Sequence, residues 1–284
     1  MTDYFNFDSV WDYQQPAVSE QRFRDILATV KGAPADYYLQ VMTQLARAQG
    51  IQGNFALARQ TLNQVSYQLT PKTPLARVRY LLELGRVLNS SGQPAQASPL
   101  FHEAFELAAQ LGEDYYAIDA AHMLGISEPP DKGLAWNLKA LEFVEGSKQL
   151  QSQSWRGPLY NNIGWTYHDM GQYEQALVMF QHGVEWRQGQ GQERATIIAR
   201  YAVARCLRSL KRIDAALVIL RELEPKADGY VNEELGECLL LQGDTQAAAP
   251  YFARAYQELS QDTWLATHEP QRLKRLQELS QGSR

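Results

Sequence analysis

Residues 159–186 read LYNNIGWTYHDMGQYEQALVMFQHGVEW, and this stretch decides the fold. Apolar residues recur at helical spacing on both sides of Met170-Gly171-Gln172, which predicts a helix, a short turn and a second helix. With Gly171 as the turn, Gly164 stands seven residues before it, Ala176 five after, Phe180 nine after and Gly183 twelve after. The physical reason for such spacing is packing. Two antiparallel helices approach closely only where one side chain is small and a bulky neighbour fills the space beside it.

The same spacing runs outward in both directions. Turns fall at Gly53, Gly92, Glu128, Gly171, Lys211 and Gly243. Seven residues before each stand Ala46, Gly85, Ala121, Gly164, Ala204 and Gly236, and five after stand Ala58, Ala97, Gly133, Ala176, Ala216 and Ala248. All twelve are Gly or Ala. Nine after each turn come Leu62, Phe101, Asn137, Phe180, Leu220 and Phe252, apolar in every unit but the third. A single hairpin cannot bury its apolar face, so neighbouring hairpins must stack.

This pattern resembles the tetratricopeptide repeat family. Residues 163–180 (IGWTYHDMGQYEQALVMF) are close to the family pattern, and residues 83–107 and 234–259 are good matches. The resemblance covers about residues 37–260. Turn-to-turn distances of 39, 36, 43, 40 and 32 depart from the family period of about 34, so most connections are lengthened. The third unit carries Pro129-Pro130 at its turn and Asn137 where an aromatic is usual, and the fifth has Lys211 where glycine is usual. The expected fold is all-α: one α-solenoid of stacked helix-turn-helix repeats spanning 1–284, its right hand implied by the resemblance. Residues 1–36 supply an arm and a capping helix with Phe23, Ile26, Leu27 and Val30 on one stripe. Residues 37–260 supply six repeats, and 261–284 supply a second capping helix with Leu273, Leu276 and Leu279.

The resemblance also implies a concave face, lined by the first helix of each hairpin, that holds an extended peptide or another chain. On that reading the lining residues include Arg47, Arg79, Arg86, Asn89 and His122, followed by Asn161, Trp165, His168, Tyr201, Arg205 and Arg208. Across the first five repeats the lining carries five arginines against one aspartate, Asp169, in a chain of net charge −5. Such a face suits an acidic segment that also carries aromatics. The arginines would pair with its charges, Trp165 and Tyr201 would pack on its apolar side chains, and Asn89 and Asn161 would bond its backbone. The sixth repeat reverses sign with Glu233 and Glu237, which read as a solvated i, i+4 pair.

The first sixteen residues, MTDYFNFDSVWDYQQP, hold five aromatics, three aspartates and no basic side chain. Three readings stay open. The arm fills the basic face of its own or a neighbouring molecule, or it straps the apolar end of the solenoid with Tyr4, Phe5, Phe7 and Trp11, or it is disordered.

Composition narrows the function. The net charge argues against sequence-blind nucleic-acid binding. No apolar run is long enough for a membrane span, and no secretory signal is recognisable, so the expected compartment is the cytoplasm. Phosphate-loop, dinucleotide, zincin and nucleophile-elbow motifs are missing, and the five histidines are scattered, so neither catalysis, cofactor nor metal is expected. Cys206 and Cys238 read as buried thiols that do not bond to each other. The expectation is a non-catalytic scaffold that binds an acidic, aromatic-containing peptide or protein segment. A structural self-assembly module, forming homo-oligomers such as a homodimer through the solenoid ends or the N-terminal arm, is the alternative.

Overall fold

The computed structural model describes residues 7–282, which form two compact units dividing after Trp155. Tyr4 and Phe5 of the arm lie outside the described residues. Every regular element among the described residues is helical, in an all-α repeat solenoid.

The first unit contains α1 (Phe7–Val10), α2 (Pro16–Thr29), α3 (Ala35–Ile51), α4 (Phe55–Ser66), α5 (Pro74–Ser90), α6 (Pro94–Leu111), α7 (Asp114–Ser127) and α8 (Pro130–Gly146), then a 3-10 segment, Leu150–Trp155. Helices α3/α4, α5/α6 and α7/α8 are the first three hairpins, and α2 packs on α3. The second unit contains α9 (Arg156–Asp169), α10 (Tyr173–Gly189), α11 (Glu193–Ser209), α12 (Ile213–Leu223), α13 (Gly229–Leu241), α14 (Thr245–Leu259), α15 (Thr263–His268) and α16 (Pro270–Ser280). Here α9/α10, α11/α12 and α13/α14 are the hairpins, and α16 closes on α14.

The small positions do what the spacing requires. A Cβ on Gly164 would lie 2.5 Å from the Phe180 ring, and one on Gly85 the same distance from Phe101. Where the first helix carries Ala46 or Ala204, the residue filling the gap is the smaller Leu62 or Leu220, each fully buried. The chain thus pairs Gly with Phe and Ala with Leu.

Five of the six turn residues have left-handed backbone: Gly53, Gly92, Gly171, Gly243 and, at φ 62°, Lys211. The third turn differs. Pro130 opens α8 there, and Glu128 stays extended at φ −87°, ψ 160°. Asn137, 1% exposed, then packs against Gly125, one helical turn beyond Ala121.

Candidate functional site

Unit 1 brings Arg47 (α3), Arg79 and Arg86 (both α5) to one face, but not as a bare cationic strip. Two carboxylates lie almost wholly buried beneath them, Glu83 at 3% exposure and Asp119 at 4%. Arg86 Nη1 donates to Glu83 Oε1 at 2.7 Å, its Nη2 donates to Asp119, and Arg47 Nη1 lies 3.6 Å from Glu83 Oε1. Burial alone would push the Asp119 carboxyl upward, but Arg86 and Arg47 outweigh it and hold the group below its ordinary range. Burial likewise opposes the charge on Arg86, and Asp119 with Glu83 more than offsets it. His122 sits beside this pair with its ring 5.0 Å from that of Trp155. Burial, reinforced by Arg86 and Arg47, pushes its pKa down to about 4 against the pull of Asp119.

Arg79 is different. It is 6% exposed and has no carboxylate partner among the described residues. Its Nη1 donates to Tyr116 Oη at 2.6 Å, and its guanidinium lies 4.3 Å from the centre of the Phe7 ring and 5.2 Å from that of Tyr116. Phe7 belongs to the arm. Trp11 and Tyr13, stacked at 4.9 Å, meet the Arg47 guanidinium at 5.5 and 5.8 Å, and Trp11 Nε1 donates to Gln44 Oε1 at 3.0 Å. On its other side the same segment seats Val10 in an apolar cluster with Phe23, Ile26, Tyr37 and Val41. Residues 7–13 therefore cap α2 and α3 and also cover Arg47 and Arg79.

Unit 2 repeats the arrangement with different chemistry. Glu234, 1% exposed, pairs with Arg208 and lies 3.6 Å from Arg205. Glu233, read from sequence as solvated, is instead 7% exposed and held bidentately by Arg272, with Nε to Oε1 at 3.0 Å and Nη2 to Oε2 at 2.5 Å. Its neighbour Glu237 pairs with Arg275. The sign reversal in the sixth repeat is thus answered by arginines of α16. Trp165 packs edge-on against Phe180 at 5.0 Å with Arg205 5.8 Å above it. His168 bonds the Ser209 hydroxyl at 2.9 Å, and burial followed by Arg205 lowers its pKa. Tyr201 lies 6.4 Å from Tyr230, and burial pushes its phenol up to about 12. Asn161 reaches its neighbour Asn162 at 3.4 Å, and Asn89 is half-buried on α5.

The residues that sequence reasoning missed share one register. Nine before each turn stand Gln44, Glu83, Asp119, Asn162, Ala202 and Glu234. The arginine six before one turn meets the acid nine before the next: Arg47 to Glu83, Arg86 to Asp119, Arg205 to Glu234. That rule was the available signal.

Among the described residues no group of three or more His, Cys, Asp or Glu could hold a metal, and no helix is long and apolar enough to cross a membrane. Cys206 and Cys238 are free and buried, their thiols pushed up by burial to about 11 and about 12. A cavity of about 460 Å³ in unit 2, floored by Ile197, Leu223 and Pro225, is lined by none of the candidate residues.

Residues 39–64 and 157–190 each match a tetratricopeptide repeat family model. The chain carries tetratricopeptide repeats at these two places. No curated protein matches it in sequence. In structure this repeat protein is similar to a signal transduction ATPase with numerous domains, carrying a tetratricopeptide repeat sensor, from Pyrococcus horikoshii. The TM-score is 0.71 at 14% identity, over 92% of this chain and 41% of that one. It is similar to the apo form of RapI (TM-score 0.70, 13% identity, 90% of this chain and 75% of that one). It is also similar to NprR in complex with its cognate peptide NprX (TM-score 0.52, 13% identity, 96% and 81%). The repeat protein thus spans about two fifths of the first of these chains, and at such identities each likeness is one of fold.

Proposed function

We propose that this protein is a non-catalytic interaction scaffold whose unit 1 inner face binds an acidic, aromatic-containing segment of a peptide or protein. One observation carries the reading. Arg79 is a buried cation with no carboxylate partner among the described residues, and an aromatic ring of the chain's own acidic arm lies over it at 4.3 Å. Keeping a charge so buried is costly unless something compensates it. A ligand that offers a ring to the guanidinium face and a carboxylate to its edge supplies both kinds of compensation. NprR, which shares the fold, is a repeat protein seen with a bound peptide, in keeping with this reading.

The face in unit 2 supports less. Its pocket of about 330 Å³ is bounded by four arginines and four glutamates, so its charges are already matched. Recognition of an acidic ligand is therefore assigned to Arg47 and Arg79 in preference to Arg205 and Arg208.

The test uses the arm as probe. A peptide of residues 1–15 is titrated into the chain lacking those residues, followed by calorimetry. Binding is expected, weakened about tenfold or more by Arg79→Met and by Arg47→Met. It is also expected to weaken when the peptide's aromatics become alanine. No binding, or binding indifferent to both arginines while circular dichroism stays native, overturns the reading.

A further inference from the structure

The arm covers only part of the unit 1 face. It runs from Phe7 over Arg79, thirteen residues before its turn, to Trp11 and Tyr13 over Arg47, six before its own. There it turns away. The backbone N–H groups of Gln14 and Gln15 both donate to Asp12 Oδ1 at 3.1 Å, and Pro16 opens α2. Beyond Arg47, towards the turns, lies a cavity of about 190 Å³ walled by Ile51, Phe55, Val87 and Met123 and rimmed by Arg47, Glu83 and Arg86. No described residue of the arm lines it. Sites for free small molecules hold roughly 300–1,000 Å³, so this one has the size for a single side chain.

Gly50 makes the room. It lies inside α3, without the positive φ that the turn glycines carry. A Cβ there would meet only Val87 Cγ2 within 4 Å, at an ordinary 3.5 Å, whereas one on Gly85 would strike Phe101 at 2.5 Å. Neither backbone nor packing asks for glycine at 50, and glycine inside a helix is less stable than alanine. Its missing side chain leaves the cavity open between Ile51, 46% exposed, and Val87, 3% exposed. On the rim Arg47 and Arg86 both turn to Glu83, so the apolar walls decide what fits.

We propose that this cavity is a side-chain subsite of the ligand-binding face. It takes a leucine- or phenylalanine-sized apolar side chain two residues after the aromatic that stands in the place of Tyr13. The spacing is geometric. Gly50 and Ile51 lie about 4.5–6 Å further along α3 than Arg47, and two extended residues reach about 7 Å. Trp11 and Tyr13, two apart, both face Arg47, and side chains alternate along an extended segment, so the next one on that face is at position 15. In the arm that position is Gln15, inside the turn. The ligand pattern is thus aromatic, any, aromatic, any, apolar. The inference rests on the function proposed above and adds a selectivity that the arm itself lacks.

The probes are peptides of residues 1–15 closed as C-terminal amides, unaltered or with Gln15→Leu, Gln15→Phe or Gln15→Asp. Calorimetry titrates them into the unaltered full chain and into the full chain with Phe7→Ala, Trp11→Ala and Tyr13→Ala, whose own arm no longer competes. Competition lowers every affinity by the same factor, so the ratio between peptides is the readout in both hosts. The leucine and phenylalanine peptides are expected to bind about tenfold or more tightly than the unaltered one. Adding Gly50→Leu to either host fills the cavity with a better helix former, and the ratio should return to about one. Ratios near one without that change, or a gain that survives it, overturn the subsite and leave the acidic, aromatic reading standing. An aspartate peptide binding as tightly as the leucine peptide overturns it too, because the rim would then be selecting charge. No peptide of the series binding either host up to about 1 mM overturns both readings.

Discussion

Lys211 holds the left-handed turn conformation that glycine takes at Gly53, Gly92, Gly171 and Gly243. A side chain there costs about 1–2 kcal/mol against the preceding carbonyl, whereas glycine would lose more freedom on folding, by about 0.5–1 kcal/mol. Lys211→Gly should therefore stabilise the protein slightly, by up to about 1 kcal/mol, seen as a higher urea midpoint with unchanged slope. His122 acts in the opposite sense as pH falls. Its pKa is about 4 when folded, against about 6.5 for an unperturbed imidazole. Between those values the unfolded chain binds a proton that the folded chain refuses, so stability drains away as pH drops from about 6.5 to about 4. The loss is of order 3 kcal/mol. His122→Phe keeps a ring against Trp155 and cannot titrate, so its urea midpoint should stay flatter across that window. Asp119 keeps its own proton sensitivity in both chains, because its pKa lies below its ordinary value and its contribution is lost only at lower pH.

At the scale of the helix hairpin, the pairing of Gly with Phe and Ala with Leu is a rule the chain applies to itself. Gly164→Ala places a Cβ against the Phe180 ring and should cost about 1–3 kcal/mol. Phe180→Leu alone leaves a void. Together they recreate the Ala204–Leu220 and Ala46–Leu62 pairs, so the double variant should be more stable than the sum of the singles predicts. A double-mutant cycle in urea checks this, and a coupling near zero would mean the two sites do not share the gap. This part of the fold was legible because the packing is local: both partners lie within one hairpin, sixteen residues apart. The acids beneath the arginines are legible only through the register that links one hairpin to the next. Glu83 answers Arg47 from the next hairpin, and its register holds Gln44, Asn162 and Ala202 elsewhere, so no single residue type marks the stripe. The same distance in sequence hid the partners of Glu233 and Glu237, which come from α16. The third turn was placed correctly at Glu128, but its extended backbone follows from Pro130, which fixes where α8 begins.

For the molecule as a whole, five arginines at the lining positions of the repeats read as a basic surface in a chain of net charge −5, yet most of that charge is spent within each unit. Arg47, Arg86, Arg205 and Arg208 each meet a carboxylate that is at least 95% buried; among the described residues Arg79 meets none, and Arg47 still offers its guanidinium to the rings of Trp11 and Tyr13. What docks residues 7–13 is therefore apolar burial and rings on guanidinium faces rather than ion pairs across water. Burial of Val10 and partial burial of Phe7 and Trp11 are each worth up to about 1.5–3 kcal/mol, and a ring over a desolvated cation adds about 2 kcal/mol. An exposed ion pair would add less than about 1 kcal/mol and would fade with salt. Removing residues 1–15 should thus lower the stability of unit 1 by a few kcal/mol. The difference between the intact and shortened chains should be nearly the same in about 0.05 M and 0.5 M sodium chloride, where the screening length shrinks about threefold. Urea midpoints of the two chains at both salt concentrations decide it. A difference that collapses at high salt would show that the arm is held by its aspartates instead, and the ligand sought for this face should then be chosen for its acidity before its aromatic rings.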